Sequence, residues 1–155
     1  MTCSLNQALG WAEEILRQLS PPGDYRLFAE EHTETAGEAT SSAGAYSSNL
    51  TITWDEMEPQ STPVQSGGEF VIWLEMDGGS VGAVFQEDEA EAEVIARLAD
   101  QFQDYVLEVS GSPAPPCPEH QHPLSAVVVA GKALWTCPKV ENHFSRPIIS
   151  AAATH

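Results

Sequence analysis

The segment from Cys117 to His143 constrains this chain most, because it holds two of the three cysteines and three of the five histidines. Each of its cysteines directly precedes a proline. Thiolates and imidazoles gathered at the two ends of a predicted hairpin are the types of ligand that a tetrahedral zinc site needs. The sequence therefore predicts one structural zinc ion per chain, held by four of five candidates: Cys117, His120, His122, Cys137 and His143.

The predicted hairpin consists of two apolar runs, 124–129 and 132–136, joined at Ala130-Gly131. Two ligand sets remain open. One combines Cys117-x2-His120 with Cys137-x5-His143, and the other uses His120 and His122 together, since alternate residues of an extended chain point the same way. The histidine left over would lie beside the metal or have no role. The alternative without metal is a plain hydrophobic hairpin.

The cysteine–proline pairs of this segment resemble the knuckles of zinc ribbons. The layout C-P-x-H-x-H-P, followed by G-x-x-x-W-x-C-P, is similar to the C-terminal tails of uncharacterised proteins of actinobacteria and their phages. This resemblance covers residues 117–138 and implies a structural metal but no particular activity. The chain departs from the ribbon pattern at Val140, where the second knuckle would carry a ligand, so a histidine would have to compensate.

Charge is distributed unevenly along the chain, whose formal net charge is −17. Residues 1–112 carry 21 acidic side chains against three arginines, whereas residues 113–155 carry two acidic side chains against three basic ones. An acidic body of this kind repels phosphate backbones and disfavours conventional nucleic-acid binding. It predicts either a solubility device or electrostatic pairing with a basic protein partner.

Periodicity predicts a helix over 5–19, with Ser4 and Gln7 as a capping box and Ser20-Pro21-Pro22-Gly23 as its end. Alternation then predicts strands at 25–28 and 46–54, separated by a loop. A hairpin over 70–74 and 81–85 turns at Asp77-Gly78-Gly79, and its first strand should be central.

A second helix should open at Glu87-Asp88-Glu89. Its buried stripe should consist of Ile95, Leu98, Phe102, Tyr105 and Val109, widened by Val94 and Val106. The predicted fold is therefore α+β, an antiparallel four-stranded sheet with two helices in the order α-β-β-β-β-α, plus the small C-terminal hairpin.

The predicted domain organisation has four parts. They are an acidic α+β domain over 1–110 that folds by itself, a Ser/Pro linker over 111–116, a zinc-ribbon-like hairpin over 117–146 and a flexible tail over 147–155. Cys3 should be a free thiol near a frayed terminus. Because the cysteines are odd in number and no signal peptide or spanning segment is recognisable, the expected compartment is the reducing cytoplasm.

The leading functional hypothesis is a non-enzymatic acidic protein that docks a basic protein, as an immunity, anti-defence or adaptor protein would. A metal-dependent enzyme and a zinc-ribbon nucleic-acid-associated factor are the alternatives. The glutamate and cysteine spacings of zinc deaminases are missing, and no catalytic residue is predicted. The expected partner-binding surface consists of Glu30 and Glu31 in the first loop with Glu87, Asp88, Glu91 and Glu93 at the second helix.

Overall fold

Two helices and six strands make up the fold in a computed structural model, which describes residues 3–32, 68–112 and 114–150. The α+β class predicted from the sequence is confirmed. The elements follow in the order α1 (Leu5–Leu19), β1 (Tyr25–His32), β2 (Glu69–Met76), β3 (Gly79–Gln86), α2 (Glu91–Ser110), β4 (Ser125–Val129), β5 (Lys132–Thr136) and β6 (Ser145–Pro147).

The first sheet is antiparallel with the order β1-β2-β3, so β2 is central as predicted. The prediction of one four-stranded sheet is wrong, because the described residues form two separate three-stranded sheets. The strand predicted at 46–54 lies outside the described residues. Strand β1 also runs further than expected, since pairing with β2 continues to His32 and places Glu30 and Glu31 on a strand instead of a loop.

The second sheet contains the predicted hairpin, β4 and β5, and adds the short strand β6 beside β5. Ala130 and Gly131 both adopt positive φ angles, of 50° and 74°, as a two-residue turn between twisted strands requires. The third strand was missed because it has only three residues and ends in Pro147. A proline is tolerated there because β6 lies at the edge of the sheet.

Both helices present an apolar face to the sheets. Helix α1 has the predicted capping box, in which the Ser4 and Gln7 side chains each accept from the other's backbone N–H. Helix α2 begins at Glu91, because residues 87–89 form the turn that precedes it. Among the described residues, no helix has the length and apolarity to cross a bilayer.

The buried face of α2 contains most of the predicted stripe. Val94, Leu98, Phe102 and Val106 are buried as expected, but Tyr105 is only half-buried and Val109 is 42% exposed. The helix faces both sheets, and its buried residues also include Ala99 and Gln103.

A single hydrophobic core joins the two sheets through the helices. Leu124, Trp135 and Ile148 from the C-terminal region are fully buried in the same cluster as Ile15 of α1 and Phe102 of α2. The C-terminal region is thus part of the main core, which does not favour the predicted independence of residues 1–110. Residues 147–150, expected to be flexible, include this buried isoleucine.

Two glutamines attach the C-terminal region to the helices by hydrogen bonds. Gln103, only 6% exposed, donates its amide to the carbonyls of Ala114 at 3.0 Å and Leu124 at 2.5 Å. Gln18 donates to the carbonyl of Ile148 at 2.7 Å and accepts from the Trp135 indole at 2.9 Å. Since buried polar groups require partners, these bonds specify how the second sheet sits on the helices.

Cys3 is part of the core and not of a frayed terminus. Its side chain is 2% exposed. Burial, together with the carboxylates of Glu91 and Glu89, raises the pKa of the Cys3 thiol to about 11. The reactive thiolate is therefore scarce at neutral pH.

We expect iodoacetamide at mildly alkaline pH to label Cys3 at least about a hundredfold more slowly in the native chain than in denaturant, because both thiolate and access are lacking. Peptide mapping by mass spectrometry over a time course measures this rate. Labelling at equal rates in the two conditions would contradict the buried position.

Candidate metal centre

The candidate metal centre lies at one end of the second sheet, where its two sources of ligands meet. A short antiparallel bridge between Pro116 and Pro123 closes the segment that contains Cys117, His120 and His122. The pairing of Ser125 with Thr136 then brings Leu124 next to Cys137. The hairpin therefore brings Cys117, His120 and His122 close to Cys137, as predicted.

Backbone hydrogen bonds hold the two ligand-bearing segments. The N–H of Cys117 donates to the carbonyl of His122 at 3.0 Å, and the N–H of Leu124 donates to the carbonyl of Pro115 at 2.9 Å. On the other side, the N–H of Cys137 donates to the carbonyl of Phe144 at 3.1 Å. These bonds fix the backbone at both cysteines, and both thiols are buried.

Four side chains form the cluster: Cys117, His120, His122 and Cys137. One potential ligand atom from each lies within 4.8 Å of all the others. The Nδ1 atom of His120 is 3.4 Å from the sulfur of Cys117 and 3.7 Å from that of Cys137. The Nε2 atom of His122 is 3.7 Å from the Cys137 sulfur. These residues are close enough to hold a metal ion.

The three sulfur–nitrogen distances in the cluster are compatible with tetrahedral coordination of zinc. Zn–S bonds of about 2.3 Å and Zn–N bonds of about 2.0–2.1 Å, at a tetrahedral angle, place sulfur and nitrogen about 3.6 Å apart. The three sulfur–nitrogen distances of 3.4, 3.7 and 3.7 Å all lie close to this value. Two thiols and two imidazoles also favour zinc over magnesium or calcium, which select oxygen ligands.

The two histidines face the cluster through different ring nitrogens. His122 has its Nδ1 atom 3.0 Å from the carbonyl oxygen of Pro123. An N–H at Nδ1 would donate to this oxygen, which leaves Nε2 as the free electron pair that faces Cys137. His120 instead presents Nδ1, and its ring stacks on that of His122 with a centroid distance of 5.1 Å.

The surroundings of Cys137 lower the pKa of its thiol and so favour the thiolate form. Burial opposes ionisation, but hydrogen bonds from the backbone of Val140 and Lys139 and from Cys117 outweigh it, so the pKa of Cys137 is lowered. Val140, which stands where a zinc ribbon would have a ligand, thus contributes through its backbone although its side chain is 48% exposed.

His143, the fifth candidate, lies beside the cluster. Its ring meets that of His120 edge-on, with a centroid distance of 4.9 Å. Its Nε2 atom is 3.4 Å from a carboxylate oxygen of Glu119. This Nε2 atom is buried and makes no hydrogen bond to the described residues. Of the open ligand sets, the geometry therefore favours the one that uses His120 and His122 together.

Of the six carboxylates predicted to bind a partner, four lie at one end of the first sheet and two lie in the first turn of α2. Glu30 and Glu31 pair with Val71 and Phe70 near the N-terminal end of β2. At this same end of the sheet, the N–H of Glu87 donates to the carbonyl of Gly68. Asp88 follows, and the remaining two, Glu91 and Glu93, are in the first turn of α2. No lysine or arginine among the described residues lies within ion-pair distance of these six.

Sequence reasoning missed Glu69, which belongs to this group. It lies opposite His32 on β1 and Gln86 on β3, and its carboxylate accepts from the Gln86 amide at 2.9 Å. In the sequence, Glu69 could have been recognised by its position directly before the apolar run of β2.

Comparison with protein-family models, curated proteins and solved structures found no match to this chain.

Proposed function

We propose that the protein is a non-enzymatic binding protein, that one structural zinc ion stabilises it, and that its acidic surface docks a basic protein partner. The observation that carries the binding role is the group of carboxylates at one end of the first sheet: Glu30, Glu31, Glu69, Glu87 and Asp88. Like charges placed together destabilise the free protein, and a basic partner relieves this repulsion on binding.

A structural role for the zinc is supported by the number and burial of its ligands. Four protein side chains are close enough to supply all four ligands of a tetrahedral ion, whereas catalytic zinc keeps one position open for water or substrate. The nearby carboxylate of Glu119 is 72% exposed and lies against His143. These features favour a metal that holds the fold over a metal-dependent enzyme. The three free cysteines favour a reducing, cytoplasmic setting.

We expect the variant Glu31→Gln, Glu87→Gln, Asp88→Asn to associate with the partner about tenfold more slowly, because it loses three of the charges that steer the encounter. The partner is first captured from an extract of the producing cells at low salt and released at high salt. Association rates of the purified pair are then measured by surface plasmon resonance over a range of salt concentrations.

The matched control removes three exposed charges elsewhere, in the variant Glu13→Gln, Glu108→Gln, Glu141→Gln. It should retain most of the association rate, since the net charge changes equally but the surface at the end of the sheet is intact. Equal slowing in both variants, or in neither, would assign the acidic residues to solubility alone.

A further inference from the structure

The outer face of the first sheet, opposite the helices, carries an aromatic surface formed by Phe28, Trp73 and Val84. Side chains alternate along a strand, and the buried residues Phe70, Ile72 and Leu74 of β2 face the helices. Trp73 therefore points outward, between Phe28 on β1 and Gly82 on β3. The two rings lie nearly parallel, at 20°, with centroids 6.4 Å apart. Val84 on the same face is 46% exposed.

The Trp73 ring is held in place on this face. Its indole lies across Gly82 so closely that a Cβ atom at position 82 would be 2.8 Å from the ring. Its Nε1–H donates to a carboxylate oxygen of Glu30 at 2.9 Å. Trp73 and Phe28 are both half-buried, so each ring retains surface that a ligand can reach. A fixed aromatic ring loses little entropy on binding.

Arg26 of the chain itself already contacts this surface. The guanidinium of Arg26 lies over the Phe28 ring, 4.9 Å from its centroid. It has no carboxylate within ion-pair distance among the described residues. The register still places three carboxylates on the face, namely Glu30, Glu69 and Glu75. One cation against three anions leaves the aromatic surface in a negative field.

We propose that this aromatic surface binds an arginine side chain of the basic partner, which stacks on Trp73 beside the Arg26–Phe28 pair while a carboxylate of the face pairs with the guanidinium. This inference rests on the proposed function and names the chemistry by which the partner is recognised. Arginine fits better than lysine because its guanidinium is planar, more weakly hydrated and able to stack on a ring while its N–H groups bond at the edge.

The test uses the full chain with an oligoarginine peptide and an oligolysine peptide of equal length. Titration calorimetry at low and high salt should show tighter binding of oligoarginine. The variant Trp73→Leu should weaken oligoarginine binding about fivefold, as expected for loss of one cation–π contact, and should leave oligolysine binding nearly unchanged. Nuclear magnetic resonance should place the oligoarginine-induced shifts on β1, β2 and β3.

A second variant, Phe28→Leu, probes the same surface in case Trp73→Leu disturbs the sheet, and thermal unfolding checks both variants. The matched control Glu13→Gln on α1 should not change the preference for arginine. If both peptides bind equally and neither aromatic variant matters, this inference is overturned while salt-sensitive acidic docking stands. If neither peptide binds at low salt, the inference and the proposed docking function both fall.

Discussion

A chain that ends after Gly111 should not unfold cooperatively. Truncation removes Leu124, Trp135 and Ile148, which are fully buried against both helices. It also leaves the buried amide of Gln103 without its two carbonyl acceptors. An exposed core and an unsatisfied polar group together exceed the marginal stability of a small domain. Circular dichroism during denaturant unfolding should show a broad, weak transition or none.

A point substitution tests the same core without shortening the chain. Trp135→Ala should lower the free energy of unfolding by about 3–5 kcal/mol, because it opens a large cavity between the second sheet and the helices. The control Val129→Ala changes a side chain that is 52% exposed in the same sheet and should cost about 0.5 kcal/mol or less. A sharp, native-like transition of the truncated chain would show that residues 1–111 fold alone.

Loss of the metal should have the second large effect. The reference is the wild-type chain with free zinc about a thousandfold above its dissociation constant. Relative to it, we expect chelation of the zinc, or the variant Cys117→Ser, to lower the free energy of unfolding by about 4 kcal/mol. The reason is that the cluster has no equivalent in the unfolded chain, so binding free energy becomes folding free energy. Inductively coupled plasma mass spectrometry should find about one zinc ion per wild-type chain.

The histidines supply a matched pair for this experiment. His122→Gln removes an imidazole that faces Cys137 at 3.7 Å and should weaken zinc binding strongly. His143→Gln changes a ring beside the cluster and should retain about one zinc ion per chain. Full zinc retention in the double variant Cys117→Ser, Cys137→Ser would show that the metal is held elsewhere.

Local patterns account for what the sequence predicted correctly. The Ser4 capping box, the hairpin at Asp77-Gly78 and the convergence of Cys117 with Cys137 all depend on residues close together in the chain or on a single hairpin. The ligand set could not be decided between His122 and His143 by spacing. It depends on how the chain turns after β5, where neither a strand nor a helix signal is present.

Tertiary packing explains what was missed. The predicted α2 stripe wrongly included Val109, which is apolar yet exposed. It omitted Gln103, which is polar yet buried and donates to a carbonyl of a distant segment. Gln103 stands four residues after Ala99 and three before Val106, which is the spacing of a helical face and could have indicated it. Cys3 was judged by its place near the terminus, although α1 carries it into the core.

The bonds from Gln18 to Trp135 and Ile148 also bear on how the chain is synthesised. Gln18 and Ile148 are 130 positions apart, so the part of α1 that contacts the C-terminal segment stays uncovered until that segment has been synthesised. Contacts this distant in sequence slow folding and leave hydrophobic surface open during translation. We therefore expect translation products that stop before β4 to aggregate or to be captured by chaperones, whereas chains that include the second sheet fold.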